Sequence, residues 1–297
     1  MLNYRNNLSG RNAAGYRFRF HNRSISHRAL FLPLEMKQDP AVTRILSGES
    51  PCKVFSTSSI REARTAFNNL RLRFDFPFWA ATKFRVRDIN DADEIVTLNL
   101  NHPQHQIADI FLKRYFNKEI ARYIITKRSP RCGLTTCVQA YIMWRQLFGC
   151  PKHENICGAS KLNVAQLKAN IARFFNKDIF PFSKRKFNIV ANHCYTLFNT
   201  FRTPDALRGI DFGYVHLVDM SKWWDPDGNN TLRAIVSGIS GVLLDYRTLI
   251  VMEGNHPNPK KNPAFLAEIQ YADRRGETAL FRHIDLNEYP ILCDKGP

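Results

Sequence analysis

The sequence has no apolar run of the roughly 18 to 20 residues that a membrane-spanning helix needs, and no apolar N-terminal segment of the secretory type. It also lacks a CxxC pair, and its 7 cysteines are an odd number scattered through apolar contexts. These absences argue against a disulfide framework and a zinc motif, and they favour reduced thiols. We therefore expect a soluble, intracellular protein with no membrane partner.

Acidic residues are scarce. The chain has 43 lysines and arginines against 26 aspartates and glutamates, which gives a formal charge of +17. This excess predicts a polyanionic partner, and DNA, RNA or anionic lipid all satisfy the charge argument. The 297 residues are 44% hydrophobic, enough for one large domain or two modest ones, so disorder throughout is not expected.

The N-terminal region is a basic arm. Its first acidic residue is Glu35, and the residues before it include arginines at positions 5, 11, 17, 19, 23 and 28. Three interpretations stay open for this arm: a solvated terminus, a nucleic-acid contact, or a transit peptide with the same Arg-rich, acid-poor composition.

From about Leu70 onward, short apolar strands alternate with helical patterns, which predicts an α/β fold with a mainly parallel sheet flanked by helices. The predicted strands are Tyr123–Thr126, Asn155–Ala159, Phe187–Ala191, Val215–Val218 and Thr248–Met252. The predicted helices are Thr135–Phe148 and Asn163–Phe175. In such a fold, ligands bind at the C-terminal ends of the strands.

One such strand end carries the stretch "ITKRSPRCGLTTC", which partly matches the phosphate loop GxxxxGK[ST]. Gly133 and Thr135 fall at the second glycine and the hydroxyl, but Leu134 occupies the lysine position and Arg128 that of the first glycine. An ordinary strand-to-helix turn with Thr135 as the N-terminal cap explains these residues equally well.

Two further segments carry candidate site residues. Asp219 directly follows the predicted strand Val215–Val218, where nucleotide-hydrolysing enzymes place a carboxylate near Mg²⁺ or the attacking water. Gln104, in "LNHPQ", is a candidate for reading an adenine edge, and a solvent-facing glutamine is the alternative.

Taken in order, these segments resemble the ATPase portion of the large terminase subunit of tailed bacteriophages, the motor that drives DNA into a procapsid. The resemblance spans roughly Arg71 to Asn287. It is carried by "DFPFWA", "LNHPQ", "KRSPRCGLTTCVQAYIMW", "TPDALRGIDFGYVHLVDMSKWW" and "SGISGVLLDYRTLIVMEGN".

The resemblance implies a P-loop NTPase of the RecA-like (ASCE) type. It implies a basic irregular extension over residues 1–69, an ATPase domain over residues 70–275, and a linker over residues 276–297 toward a nuclease domain. That nuclease domain is expected on another polypeptide, unless the sequence is a truncated form.

The resemblance also implies that the cofactors are ATP and Mg²⁺, and it assigns roles to individual residues. The implied ATP-binding residues are Gln104, Lys127, Arg128, Arg131, Cys132, Gly133, Leu134, Thr135 and Thr136. Asp219, Arg128 and Arg208 are implied to be catalytic, Thr135 and Asp219 to hold Mg²⁺, and Asn255 to couple hydrolysis to movement.

Besides Leu134 at the position of the loop lysine, three positions depart from the family pattern. Val218 stands where the first acid of the strand is usual, and Gly254 where Ser or Thr is typical. Asp219 aligns with the catalytic glutamate but is one methylene shorter. These departures make slow hydrolysis, or nucleotide binding without turnover, an expected alternative.

The partners implied by the resemblance are double-stranded DNA, a portal protein and a small terminase subunit. It further implies a ring-forming homo-oligomer on the portal, in the host cell cytoplasm at the viral procapsid. Two other hypotheses stay open. One is a catalytically degenerate nucleotide- or DNA-binding derivative of a terminase, and the other is an unrelated basic α/β protein with a targeting or RNA-binding arm.

Overall fold

The computed structural model describes residues 33–87, 94–127, 132–174, 182–184, 188–191, 194–200, 212–223 and 245–286. The chain divides into two compact units, residues 1–101 and residues 102–297. Residues 1–32, most of the predicted basic arm, lie outside the described residues.

The first unit is mainly helical. Its helices are α1 (Leu34–Lys37), α2 (Pro40–Leu46), α3 (Pro51–Val54), α4 (Ile60–Phe74) and α5 (Phe76–Lys83). Two short strands, β1 (Arg85–Arg87) and β2 (Ile95–Thr97), pair antiparallel. A small core of buried side chains joins the helices: Met36, Val42, Ile45 and Phe67.

The "DFPFWA" segment begins a buried helix. Asp75 is the N-cap of α5, where its carboxylate accepts a hydrogen bond from the backbone N–H of Phe78 at 3.0 Å. The same carboxylate accepts a hydrogen bond from Arg71 Nε at 2.7 Å, and both side chains are buried. The Arg71 guanidinium lies over the Phe78 ring at 4.0 Å, so this apolar helix start carries its own buried ion pair.

The second unit is an α/β sandwich around one large sheet. Its helices are α6 (His102–Phe116), α7 (Leu134–Phe148), α8 (Lys161–Phe174) and α9 (Pro263–Arg275), with short 3₁₀ turns at Met220–Lys222 and Gly276–Thr278. Its strands are β3 (Ala121–Lys127), β4 (His153–Gly158), β5 (Phe182–Lys184), β6 (Asn188–Ala191), β7 (Cys194–Thr200), β8 (Phe212–Leu217), β9 (Leu249–Asn255) and β10 (Arg282–Asp285).

The strand order of this sheet is β10-β3-β9-β8-β4-β7-β6-β5. Neighbouring strands are parallel from β10 to β7, whereas β6 and β5 are added antiparallel. Strands β3 and β8 are buried at every position, as expected for central strands covered on both faces. The predicted α/β fold with a mainly parallel sheet is confirmed.

The topology places a ligand site at the end of β3. From β3 the chain passes through α7 to β4, three places along the sheet, and the strands β8 and β9 later fill the gap. After β9 the chain crosses to β10 on the other side of β3. The connection after β3 runs one way along the sheet and the connection after its neighbour β9 runs the other way, and ligands of open α/β sheets bind at the carboxyl ends of the strands at such a point.

The predicted elements match the structure within a few residues, and one predicted strand departs from the parallel order of the sheet. The predicted strand Phe187–Ala191 corresponds to β6, which runs antiparallel to its neighbours. The last strand, β10, lies beyond residue 275, where the sequence predicts a linker. Among the described helices, none combines the length and apolar character that crossing a membrane requires.

Candidate functional site

The turn between β3 and α7 ends at Gly133, which is the N-cap of α7 and has a left-handed backbone with φ of 68°. The side-chain Nε2 of Gln104 donates hydrogen bonds to the carbonyl oxygens of Gly133 at 3.0 Å and Cys132 at 3.3 Å. A Cβ added at position 133 would lie 2.4 Å from Gln104 Nε2. The left-handed backbone therefore favours glycine at this position, and an added methyl group would push the Gln104 amide aside.

The start of α7 has no side-chain cap. The alternative in which Thr135 caps the helix is wrong, because Thr135 Oγ1 instead donates a hydrogen bond to Glu253 Oε1. The N–H groups of the first turn of a helix have no partner within that helix and carry its positive dipole end. The end of β3 thus presents an electropositive helix start beside a glycine turn, the arrangement that suits a phosphate group.

Glu253, on β9, is the residue that the sequence analysis missed. Its carboxylate is fully buried and collects polar groups from three other elements. Lys127 Nζ, at the end of β3, lies 3.1 Å from Oε2, and His216 Nε2, on β8, lies 3.2 Å from Oε1. With Thr135, these contacts join the glycine turn, α7 and the three central strands at a single carboxylate.

The charges of this cluster are balanced. Burial alone acts to raise the pKa of Glu253, but the nearby Lys127 ammonium and the hydrogen bonds from His216 and Thr135 hold that pKa below its usual range. Burial acts to lower the pKa of Lys127, yet the Glu253 carboxylate outweighs it and raises that pKa. The structure therefore holds an ionised carboxylate and an ammonium as a buried pair, whose desolvation is offset by their mutual contact.

The polar cluster continues away from the glycine turn. Gln139 Nε2 lies 2.6 Å from His216 Nδ1 and 2.9 Å from Glu154 Oε1, and Thr196 Oγ1 donates to Glu154 Oε2 at 3.0 Å. A carboxylate only accepts hydrogen bonds, so His216 Nε2 donates to Glu253 and Nδ1 accepts from the Gln139 amide. The contacts therefore run without a break from Glu154 through Gln139 and His216 to Glu253.

A cavity of about 220 Å³ lies beside the start of α7. Thr135 and Thr136 line it from the helix, Val218 and Asp219 line it from the end of β8, and α8 contributes the amides Asn163, Gln166 and Asn170. Asp219 has a left-handed backbone with φ of 54°, and Lys222 Nζ lies 3.1 Å from its Oδ2. The structure thus brings together Thr135 and Asp219, the two residues for which the sequence suggests a shared Mg²⁺ site, and their roles stay predictions.

The other predicted site residues have different surroundings. Cys132 and Leu134 are buried, so the position of the usual loop lysine faces the protein interior. Asn255 ends β9, and its Oδ1 is buried and accepts no hydrogen bond within the described part of the chain. Gly254 packs closely, because a Cβ there would lie 2.9 Å from the backbone nitrogen of Ser221. Arg128, Arg131 and Arg208 lie outside the described residues.

Comparisons with known proteins give structural likeness only. No family model matches the sequence, and no curated protein matches it. Among solved structures, the chain is similar to the large terminase of a thermophilic bacteriophage in complex with ADP, with a TM-score of 0.44 and 16% identity over 63% of this chain and 45% of that chain. For the same terminase with ATP-gamma-S, the TM-score is 0.43 and the identity 14%, over 63% and 44% of the two chains. This chain therefore spans less than half the length of the solved terminase.

Proposed function

We propose that the second unit binds ATP at the start of α7 and hydrolyses it, as the ATPase module of a terminase-like DNA-packaging motor. The observation that carries this proposal is that Thr135, at the uncapped start of α7 beside Gly133, contacts Glu253 and shares a cavity with Asp219. The sequence pattern suggests a phosphate loop, and this geometry supports it where the loop lysine is missing.

The residues at this point suit a nucleotide phosphate. Backbone N–H groups at the start of α7 favour an anion, and the side chains of Thr135 and Thr136 flank them. Lys127 is the described cation nearest to the turn in sequence, although in this structure it is paired with Glu253. An ammonium beside a phosphate loop neutralises charge that develops during phosphoryl transfer.

The same residues fit Mg²⁺. The Thr135 hydroxyl and the carboxylates of Asp219 and Glu253 are the hard oxygen ligands that this ion prefers, and it binds proteins through one or two carboxylates together with substrate phosphates. Among the described residues, no group of three or more His, Cys, Asp and Glu side chains is arranged to hold a metal ion. Mg²⁺ would thus be held jointly with the nucleotide, where it neutralises phosphate charge.

Asp219 is the proposed residue for orienting the attacking water. It follows β8 at the edge of the cavity, its side chain is 21% exposed, and its left-handed backbone turns the chain at this position. A carboxylate that is both reachable by water and adjacent to the helix start suits that role. The single methylene of aspartate sets it farther back than a glutamate, so a slow rate is expected.

The motor role rests on the sequence resemblance and on charge. A formal charge of +17 supports contact with DNA phosphates, which a translocating protein makes without reading base sequence. Double-stranded DNA, a portal protein and a small terminase subunit are the proposed partners of a ring on the procapsid in the host cytoplasm.

A second candidate function is nucleotide binding without turnover. It is favoured by Val218, which offers no carboxylate at the end of β8, and by Lys127, which is committed to Glu253. DNA-stimulated ATP hydrolysis by the purified chain, compared with Asp219→Ala, separates the two. Loss of hydrolysis in the variant with retained nucleotide binding supports the ATPase, whereas equal background rates with nucleotide bound support the second candidate.

A further inference from the structure

Glu253 is a fully buried acid inside an otherwise apolar stretch of β9. We propose that Glu253 supplies the carboxylate that faces Mg²⁺ in this site, from β9 instead of β8, and that Lys127 is its counter-ion when no nucleotide is bound. This inference rests on the proposed nucleotide site. It assigns the metal-facing acid to a residue 34 positions after Asp219 in the sequence.

The sheet register explains how β9 can take over this position. Leu217 pairs with Met252 at the end of the parallel ladder between β8 and β9, and the residues that follow this last pair are Val218 and Glu253. Side chains at paired positions of parallel strands point to the same face, and neighbouring strands are about 4.8 Å apart. Glu253 therefore presents a carboxylate one strand away from the apolar Val218, which itself lines the cavity.

The contact with Thr135 connects Glu253 to the helix start. The Thr135 hydroxyl lines the cavity and donates to Glu253 Oε1. A hydroxyl and a carboxylate in direct contact are two oxygen ligands for one hard cation. Glu253 thus already touches the side chain that the sequence pattern identifies as a metal ligand.

Lys127 marks the position of a cation. A fully buried carboxylate is costly unless a positive charge accompanies it, and Lys127 Nζ at 3.1 Å fills that need in the structure. The ammonium and a divalent cation would compete for the same carboxylate, and the displaced ammonium would be available to a phosphate oxygen. After this exchange Lys127 would neutralise phosphate charge, which is the role of the loop lysine whose position Leu134 occupies.

His216 is a positioning residue for this carboxylate. Its Nε2 donates to Glu253 Oε1, and its ring is fixed from the other side by Gln139. Metal-ligating groups are commonly oriented by such outer hydrogen bonds. Glu154, at the far end of the chain of contacts, is a similarly buried glutamate whose carboxylate accepts from Gln139 and Thr196, and it therefore provides a matched control.

The test measures the affinity of the full chain for a fluorescent ADP analogue with and without Mg²⁺ at constant ionic strength. We expect Mg²⁺ to tighten binding to the wild type, and Glu253→Gln to lose about tenfold or more of this enhancement while it keeps its Mg²⁺-free affinity. Glu154→Gln should retain the enhancement. The double variant Val218→Asp, Glu253→Gln should regain part of it, because a carboxylate then returns to β8.

Removing one member of a buried ion pair can prevent folding. A double variant that carries both Lys127→Met and Glu253→Gln therefore serves as a second test, because it removes both charges. It should bind the analogue with the same affinity in both conditions. An unchanged Mg²⁺ enhancement in either Glu253 variant overturns the inference and leaves the nucleotide site intact. Absence of analogue binding by the wild type in both conditions overturns the proposed function and this inference with it.

Discussion

Thr135 and Glu253 are 118 residues apart in the chain, yet the threonine hydroxyl donates a hydrogen bond to the glutamate carboxylate. This contact ties the first turn of α7 to the centre of the sheet. It explains why an apolar strand carries a fully buried charge, because the carboxylate satisfies groups from α7, β3 and β8 together. The site is therefore organised around an acid that lies on β9.

The glycine turn gives the first prediction. Gly133→Ala should weaken nucleotide binding, because it strains a left-handed backbone and its methyl group would push the Gln104 amide away from the two carbonyl oxygens of the turn. Gly276→Ala is the control, since Gly276 also has a positive φ of 52° but no atom within 4 Å of an added Cβ. Backbone strain should cost each variant about 1 to 3 kcal/mol of unfolding free energy, measured in urea. A nucleotide affinity that is unchanged in Gly133→Ala would contradict this account of the turn.

The amide of Gln104 gives the second prediction. Because its Nε2 donates to two carbonyl oxygens of the turn, Gln104→Leu should weaken ATP and GTP binding by the same factor. Losing two hydrogen bonds should reduce the unfolding free energy by about 1 to 3 kcal/mol. Equilibrium titration of wild type and variant with ATP and with GTP measures the two losses of affinity. A loss confined to ATP would show that Gln104 reads adenine, as the sequence suggests, and that holding the turn is secondary.

The third prediction concerns pH. Burial raises the pKa of Glu154 to about 7, although hydrogen bonds from Gln139 and Thr196 and the proximity of His216 oppose the shift. The folded protein therefore binds this proton more tightly than the unfolded chain does. The resulting contribution of Glu154 to the free energy of unfolding is complete below the unfolded pKa, near 4.5, and is lost as the pH rises through about 7. Relative to wild type, Glu154→Gln should therefore gain about 3 kcal/mol of unfolding free energy between pH 4.5 and pH 8.

Urea denaturation of both proteins at the two pH values provides this measurement. Subtracting the wild-type value from the variant value removes the titration of the groups that the two chains share. A difference in unfolding free energy that stays constant with pH would mean that Glu154 keeps an ordinary pKa in the folded protein.

The length of Asp219 gives the fourth prediction. If its carboxylate orients the attacking water from one methylene too far back, Asp219→Glu should raise kcat, by as much as about a hundredfold if the longer side chain reaches the ideal position. Asp219→Asn should lower kcat and leave nucleotide affinity nearly unchanged. Steady-state ATP hydrolysis with and without DNA measures both. Equal kcat values in all three proteins would remove Asp219 from the reaction.

The sequence predicts much of the fold because apolar strands and amphipathic helices leave local patterns. The helix Leu134–Phe148 and the strands beside it are visible in this way. β7 and β10 were missed, since "CYTLFNT" and "RHID" mix polar and apolar residues at positions that only tertiary pairing makes regular. The direction of β6 depends on its neighbours, and no local pattern contains that information.

The site was harder to predict from sequence, because part of it is assembled by strand pairing, which leaves no local pattern. Gly133, Thr135 and Asp219 follow motifs of fixed spacing, whereas Glu253 enters the site through the β8–β9 register. The available signal was a single acid in the stretch "LIVMEGN", directly after the predicted apolar strand Thr248–Met252. A buried charge of that kind needs a partner, so it could have been singled out as a site residue before the fold was known.

The central claim is that a nucleoside triphosphate binds at the start of α7. Isothermal titration calorimetry of the full chain with ATP-gamma-S and Mg²⁺ tests it most directly. We predict saturable binding with one nucleotide per chain, which is weaker in Gly133→Ala and unchanged in Gly276→Ala. No heat of binding in the wild type, or binding that is identical in Gly133→Ala, would contradict the account.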